Sequence, residues 1–312
     1  MRKICFLGIE GGGTRTRAAV SGPEGRILGR AEAGPSNPFK VGLDGAKRAI
    51  QGASRDALRR AGIRKGALDT VCLGLSGIDR PAIRNPLGQW IRRALPARRH
   101  LLETDAAISL YAAVGENPGV LVVAGTGSIA YGRDTRGRRG RAGGWGSAYD
   151  DAGSGFDVGR KAILAALHAF DDRGPKTTLG SRLCRRLRLR DISHIVNRPL
   201  SATEIASLFP LVTAAAQQGD RVAQRLLQEA GVELAELGLA VVRQLGWSRG
   251  DPTVVASGGV LRESAVVYRR FRREIRKQLA NARVMRLGRS GVEGALRMAI
   301  EAGSSSPPRG QK

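Results

Sequence analysis

Residues 119–155 read GVLVVAGTGSIAYGRDTRGRRGRAGGWGSAYDDAGSG, and the architecture of the whole chain turns on them. Val120-Leu121-Val122-Val123-Ala124 is an apolar run rich in β-branched residues, which predicts a strand buried on both faces. At its end Gly125-Thr126-Gly127-Ser128 sets two residues without a Cβ beside two hydroxyls. Bare amides and Oγ atoms can approach an anion closely there, and phosphate is the guest this chemistry suits. A second strand comes next around Ile129-Ala130-Tyr131, then a hairpin turn over residues 133–137 and a return to Gly143-Gly144-Trp145-Gly146. Tyr149-Asp150-Asp151-Ala152-Gly153-Ser154-Gly155 then leads into a helix.

The same pattern opens the chain. An apolar strand from Ile4 to Ile9 runs into Glu10-Gly11-Gly12-Gly13-Thr14, and Arg17-Ala18-Ala19-Val20 returns as a second strand. This is a phosphate-clasping hairpin in which the glycines admit the phosphate, Thr14 adds a hydroxyl and Glu10 can hold Mg²⁺ through water. An ordinary glycine hairpin has the same local signature, and neither G-x-G-x-x-G opening a helix nor a P-loop is present. The strand, glycine and hydroxyl pattern near residues 8–14 and again near 123–128 predicts two related lobes facing one nucleotide, and 312 residues suffice for two.

Between these stretches, residues 25–31 predict a third strand and residues 33–38 a loop containing Asn37, either a turn-former or a hydrogen-bonding ligand. A helix is expected over 43–61, a buried strand over 70–75, a helix around 90–95 and a short strand at Leu101-Leu102. Asp105 stands where that strand gives way to a helix. It is either the N-cap or a carboxylate pointing into the crevice at the carboxyl ends of the strands. Beyond the central stretch, helices are expected over 156–170, 179–189, 202–216 and 221–245, with a capping box at Ser201 and Glu204. A strand over 253–256 ends in Ser257-Gly258-Gly259, a glycine pair that lets a flat ring such as adenine lie on backbone, or simply makes a tight turn. A last strand over 284–287, a last helix over 290–302 and a disordered tail over 303–312 complete the chain.

The net charge of +25 comes mostly from arginines spread over helix faces, and aromatics make up only 4% of the chain. That combination predicts incidental adhesion to polyanions and no specific nucleic-acid partner. No signal peptide or membrane span is legible, so a cytoplasmic protein with no membrane partner is expected. Cys5, Cys72 and Cys184 lack CxxC spacing and read as buried thiols; His168 and His194 stand singly, without metal-ligand spacing.

Together these stretches resemble the BadF/BadG/BcrA/BcrD ATPase family, and within it the N-acetylglucosamine kinase branch of the actin-like ATPase superfold. The resemblance rests on six motifs in the family's order: residues 8–14, 74–81, 104–106, 124–128, 143–146 with 151–154, and 256–259. It implies an α/β fold of two ribonuclease-H-like domains with a nucleotide cleft between them. The N-terminal domain would span 1–115, with helix 290–302 packing back on it, and the C-terminal domain 116–289. It also implies ATP and Mg²⁺ as cofactors and phosphoryl transfer to the 6-hydroxyl of a small-molecule amino sugar, most simply N-acetylglucosamine or glucosamine.

By the same resemblance Asp105 is the general base and Glu10 the metal residue. Gly11, Gly12, Gly13, Thr14, Gly125, Thr126, Gly127, Gly258 and Gly259 bind the nucleotide, and Asn37, Ser128, Gly144, Trp145 and Asp151 surround the sugar. A homodimer is left open. The family's sugar-side block often reads Gly-Asp-Glu-Gly-Ser; here Asp150 and Ala152 replace its glycine and glutamate, and the added charge favours a cationic sugar such as glucosamine. The alternatives are an ATPase of the same family that activates a reductase or dehydratase through a cysteine-held [4Fe–4S] cluster, and a non-catalytic sugar- or ATP-binding protein.

Overall fold

The computed structural model describes residues 4–63, 68–247 and 252–304. The chain divides into two compact units, one made of the residues up to Glu116 together with those from Leu287 on, the other of Asn117–Arg286. Each is built on one five-stranded sheet.

In the first unit, β1 (Cys5–Gly11), β2 (Thr16–Ser21) and β3 (Ile27–Ala33) form an antiparallel meander. On the other side of β1, β4 (Leu68–Leu75) and β5 (Ala97–Thr104) run parallel to it, so the order is β3-β2-β1-β4-β5. Side chains alternate along β1. Cys5, Leu7 and Ile9 enter a core with Ile50 and Leu58 of α1 (Pro38–Arg60) and Leu87 and Ile91 of α2 (Pro81–Ala94). Phe6 points into a second core with Cys72, Ile108 of α3 (Asp105–Val114), and Val292 and Leu296 of the C-terminal helix, Gly291–Ser304. Gly8 allows that helix to press on β1, since a Cβ there would stand 2.5 Å from the Leu296 nitrogen.

The second unit repeats the plan. β6 (Gly119–Ala124), β7 (Ser128–Arg133) and β8 (Arg139–Gly143) are antiparallel, β9 (Thr253–Ser257) and β10 (Arg283–Arg286) run parallel to β6, and the order is β10-β9-β6-β7-β8. Val120, Val122 and Ala124 of β6 pack with Val158 of α4 (Gly155–Phe170), and the same core takes Leu183 of α5 (Leu179–Leu187). After α6 (Ala202–Ala206) and α7 (Phe209–Gln217), the core takes Leu227 and Leu234 of α8 (Arg221–Gln244). Beyond the short α9 (Gly259–Glu263) it takes Phe271 of α10 (Ala265–Gln278).

Several elements differ from the sequence expectation. The helix expected over 202–216 is two helices, because the chain turns at Ser207-Leu208 and Pro210 can start a helix but not continue one. The first helix begins at Pro38 rather than residue 43, capped by Asn37 and kinked at Gly42, whose φ of 69 lies outside the helical region. α2 likewise begins early, with Pro81 in its first turn. The short strand at Leu101-Leu102 is part of an eight-residue β5 whose basic residues obscure it in the sequence. Cys184 is half-buried rather than buried, whereas Cys5 and Cys72 are in the cores. Of the expected tail, Gly303 and Ser304 complete the C-terminal helix, and residues 305–312 lie outside the described residues. Among the described residues no helix is long and apolar enough to cross a membrane.

Candidate active site

Strand register assembles the site of the first unit. Gly11 pairs with Leu75 and Leu75 with Thr104, so three parallel strands end in one row. The residues just past those ends are thereby gathered at one edge of the sheet: the glycine turn, Ser76 and Asp105. The turn is closed by Gly12 N donating to Arg15 O at 3.0 Å. It is anchored by Ser36 N and Asn37 N donating to Gly12 O, and by Ser76 N donating to Gly11 O at 2.8 Å. Gly11 is pressed against Ser36 and Leu75, whereas a Cβ on Gly12 or Gly13 would meet no atom nearer than 3.9 Å. The turn therefore presents its backbone to open space. A cavity of about 150 Å³ is lined there by Glu10, Gly11, Gly12, Gly13, Thr14, Arg15, Arg17 and Asp105. Arg15 and Arg17 are additions to the expected site. Their signal was present in the alternation after Thr14, but a positive charge in so basic a chain carries little weight by itself.

Asp105 is not the helix cap. Thr104 is the cap, its Oγ1 accepting from Ala107 N at 3.2 Å, and Asp105 is the first helical residue, with Oδ1 accepting from Ala106 N at 2.9 Å. Part of its surface reaches solvent, but the protein packed around it desolvates the carboxyl and pushes its pKa up to about 6. The Ala106 amide opposes that shift; the charges of Glu10 and Asp79 add to it.

Glu10 is held from two sides. Its Oε2 accepts from Arg17 Nη1 at 3.3 Å, across the β1–β2 register, and from Val292 N of the C-terminal helix at 3.3 Å. The two carboxylates of this cavity, Glu10 and Asp105, fit Mg²⁺ held through water, while its glycine turn and arginines suit an accompanying anion. Asn37 does two things at once: Oδ1 accepts from Phe39 N at 2.9 Å as the α1 cap, and Nδ2 donates to Ser76 Oγ at 3.1 Å.

The second unit builds a different clasp. Gly125 N donates to Gly127 O at 2.9 Å, leaving Thr126 exposed at the tip of the turn. The turn is then locked to the start of α4: Gly155 N donates to Gly125 O and Phe156 N to Thr126 O, at 2.8 and 3.2 Å. Ser128 N donates to Asp151 Oδ1 at 3.1 Å, and Ser128 Oγ donates to Ala152 O at 2.7 Å. Ser128 is buried, its hydroxyl donates to that carbonyl, and its backbone amide holds the Asp151 carboxylate. Gly127 is needed for the same lock, since a Cβ there would lie 2.7 Å from both Asp151 carboxylate oxygens. Asp151 itself has a φ of 70, uncommon for a residue with a side chain. Burial raises its pKa; the Ser128 amide counteracts this, and Asp150 and Asp157 reinforce it.

Trp145 is 67% exposed and Tyr149 88% exposed, two aromatic rings beside Asp151 in sequence with Gly144 at a φ of 72 between strand and loop. Asp150 turns back on its own loop, Oδ1 accepting from Ala152 N at 3.3 Å. Gly258 lies against the backbone of Ala124, because β9 pairs with β6 and Val123 faces Ser257, so the glycine pair and the 125–127 turn are neighbours. Among the described residues no group of three or more His, Cys, Asp or Glu side chains could hold a metal ion directly. Iron–sulfur chemistry requires thiolates that converge. Cys5 and Cys72 enter different cores on opposite faces of one sheet, which offers no such convergence.

The sequence profile of the BadF/BadG/BcrA/BcrD ATPase family matches residues 7–299. Among characterised proteins, the chain is 33% identical over 294 residues to the N-acetylmuramic acid/N-acetylglucosamine kinase of Clostridium acetobutylicum, covering 93% of this chain and 96% of that one. It is 29% identical over 300 residues to the N-acetyl-D-glucosamine kinase of Dictyostelium discoideum, covering 91% and 94%. Among solved structures it resembles a candidate N-acetylglucosamine kinase from Chromobacterium violaceum, with a TM-score of 0.77 at 27% identity over 95% of this chain and 98% of that one.

Proposed function

This chain belongs to the BadF/BadG/BcrA/BcrD ATPase family, and we propose that it is an ATP-dependent kinase transferring the γ-phosphoryl group to the 6-hydroxyl of an N-acetylated amino sugar. The observation that carries the reading is Asp105: with Thr104 as the cap, its carboxylate lines the same cavity as the Gly11–Thr14 turn. Phosphoryl transfer asks a protein mainly for alignment and neutralisation of charge. Asp105 accepts the proton of the attacking hydroxyl as the new O–P bond forms and the bond to the β-phosphate oxygen breaks. Gly13 and Thr14 offer amides and a hydroxyl to phosphate oxygens, Gly12 shapes the turn by donating to Arg15 O, and Arg15 and Arg17 supply positive charge to the same cavity. Mg²⁺ bound to the phosphates would neutralise them further, with Glu10 holding it through water.

In the second unit, Gly125, Thr126 and Gly127 take the role of a phosphate turn, and Gly258 and Gly259 that of the adenosine contact. Asn37, Gly144, Trp145 and Asp151 are assigned to the sugar, with Ser128 positioning Asp151. Between the N-acetylated sugars and glucosamine we favour the former. Both relatives named above are named for action on N-acetylated sugars.

The test is ADP release by the purified protein with N-acetylglucosamine, N-acetylmuramic acid, glucosamine and glucose. Turnover of the first two, lost in Asp105→Asn with nucleotide binding retained, is expected. Full turnover by Asp105→Asn would refute the mechanism, and turnover of none of the sugars would refute the assignment.

A further inference from the structure

The start of α4 is where the phosphate turn and the sugar-side loop of the second unit meet. Its cap is Ser154, fully buried, whose Oγ accepts from Asp157 N at 3.2 Å, while Ser154 N donates to Asp151 O at 3.1 Å. One turn on, Asp157 Oδ2 accepts from Gly153 N at 3.1 Å. Gly153 in turn rests on α8, where a Cβ would meet Ala230 O at 2.8 Å. The loop that carries Asp151 is thus clamped between α4 and α8.

A partly buried ion cluster centred on Asp157 holds that clamp shut. Lys161 Nζ lies 2.6 Å from Asp157 Oδ2 and 2.5 Å from Glu233 Oε1 of α8, while Arg160, half exposed, reaches only the outer oxygen of Asp157 at 3.1 Å. Glu233 Oε2 is buried with no partner among the described residues. Without the ammonium, Asp157 would keep only the half-exposed Arg160 on its outer oxygen while its Oδ2 faced the Glu233 carboxylate, and a rotation of Asp157 away from Glu233 would relieve that repulsion. Such a rotation takes the acceptor away from Gly153.

We propose that Lys161 is a positioning residue for sugar recognition, acting through Asp157 and the Gly153 amide to hold Asp151 in its left-handed backbone conformation. The proposal rests on the assignment of Asp151 to the sugar site made above. A carboxylate at positive φ keeps its place only where its surroundings overdetermine it, and here those surroundings are the Ser154 amide on Asp151 O and the neighbouring Gly153 amide tied to Asp157 on one side, and the Ser128 amide on the other.

The experiment measures KM for N-acetylglucosamine, KM for ATP and kcat in Lys161→Met, Lys161→Arg, Asp151→Asn and the double variant Lys161→Met/Asp151→Asn. The expected result is a rise of about tenfold in the sugar KM of Lys161→Met with the ATP KM unchanged within about twofold, recovery in Lys161→Arg, and a double variant no worse than Asp151→Asn alone. An unchanged sugar KM in Lys161→Met, or effects that multiply in the double variant, would overturn the proposal while leaving the kinase reading intact. If Asp151→Asn itself leaves the sugar KM unchanged, the assignment of Asp151 fails and this proposal fails with it. Should Lys161→Met not fold, Lys161→Gln carries the same comparison: a raised sugar KM supports the role of the charge, and an unchanged one excludes it.

Discussion

Asp105 is available for chemistry because Thr104 does the capping. Both residue types favour helix N-termini, so the sequence leaves two readings of Asp105 standing; only the hydroxyl that accepts the Ala107 amide chooses between them. In the general-base role proposed for it Asp105 must be ionised to work, and burial pushes its pKa up to about 6. We therefore expect kcat/KM to fall on the acid side with an apparent pKa near 6. Asp105→Asn should lower kcat by roughly 10³-fold above that pH, with the gap to the parent narrowing below it, as measured by ADP release.

The same shift bears on stability. The folded protein holds the Asp105 proton more tightly than the unfolded chain, so between the ordinary aspartate value of 3.8 and about 6, rising pH draws stability away. Above that window the cost is at most about 3 kcal/mol, less where solvent reaches the carboxyl. Asp105→Asn should melt at a higher temperature than the parent at about pH 7.5, and the two should converge below about pH 4.

At the scale of elements, the position of Asp105 depends on α3, and α3 depends on the C-terminal helix. Gly294 is packed against Ile108 O and Ala112, where a Cβ has no room. Gly294→Ala is expected to destabilise the protein by about 1–3 kcal/mol and to lower kcat as α3 is pushed from β1 and β4; denaturant unfolding and steady-state rates measure both. Strands were the more legible elements. β1, β4, β6 and β9 announce themselves as apolar runs, whereas β5 carries Arg98, Arg99 and His100 and reads as a strand only at Leu101-Leu102. The break between α6 and α7 is hidden because both halves keep one apolar periodicity, and the proline at 210 is an equally good first-turn residue or breaker.

At the scale of the whole molecule, two features dominate: a repeated sheet plan and a charge of +25. The charge is distributed over surfaces such as α5, where Arg185 and Arg186 are exposed while Leu179, Leu183 and Leu187 face the core. Such a surface should retain duplex DNA at low salt without sequence preference. Affinity is expected to fall by roughly 10³-fold between about 50 and 200 mM salt, as followed by fluorescence anisotropy on two unrelated duplexes. A marked preference for one duplex would show a specific site that the sequence does not announce.

Read in one dimension, the chain already declares its family, the two glycine turns with their order, and Asp105 as the acid at a strand end, because buried strands and glycine-hydroxyl turns are local chemistry. Folding in three dimensions was needed to establish that Thr104 caps and Asp105 does not, that the Ser128 amide holds the Asp151 carboxylate, and that Lys161 pairs with Glu233 behind the loop that carries Asp151. The last two are relations between residues far apart in the chain, and the first turns on which way two neighbouring side chains point. Strand register and the packing of each helix on its turn set all three, and no spacing rule within a single segment encodes them.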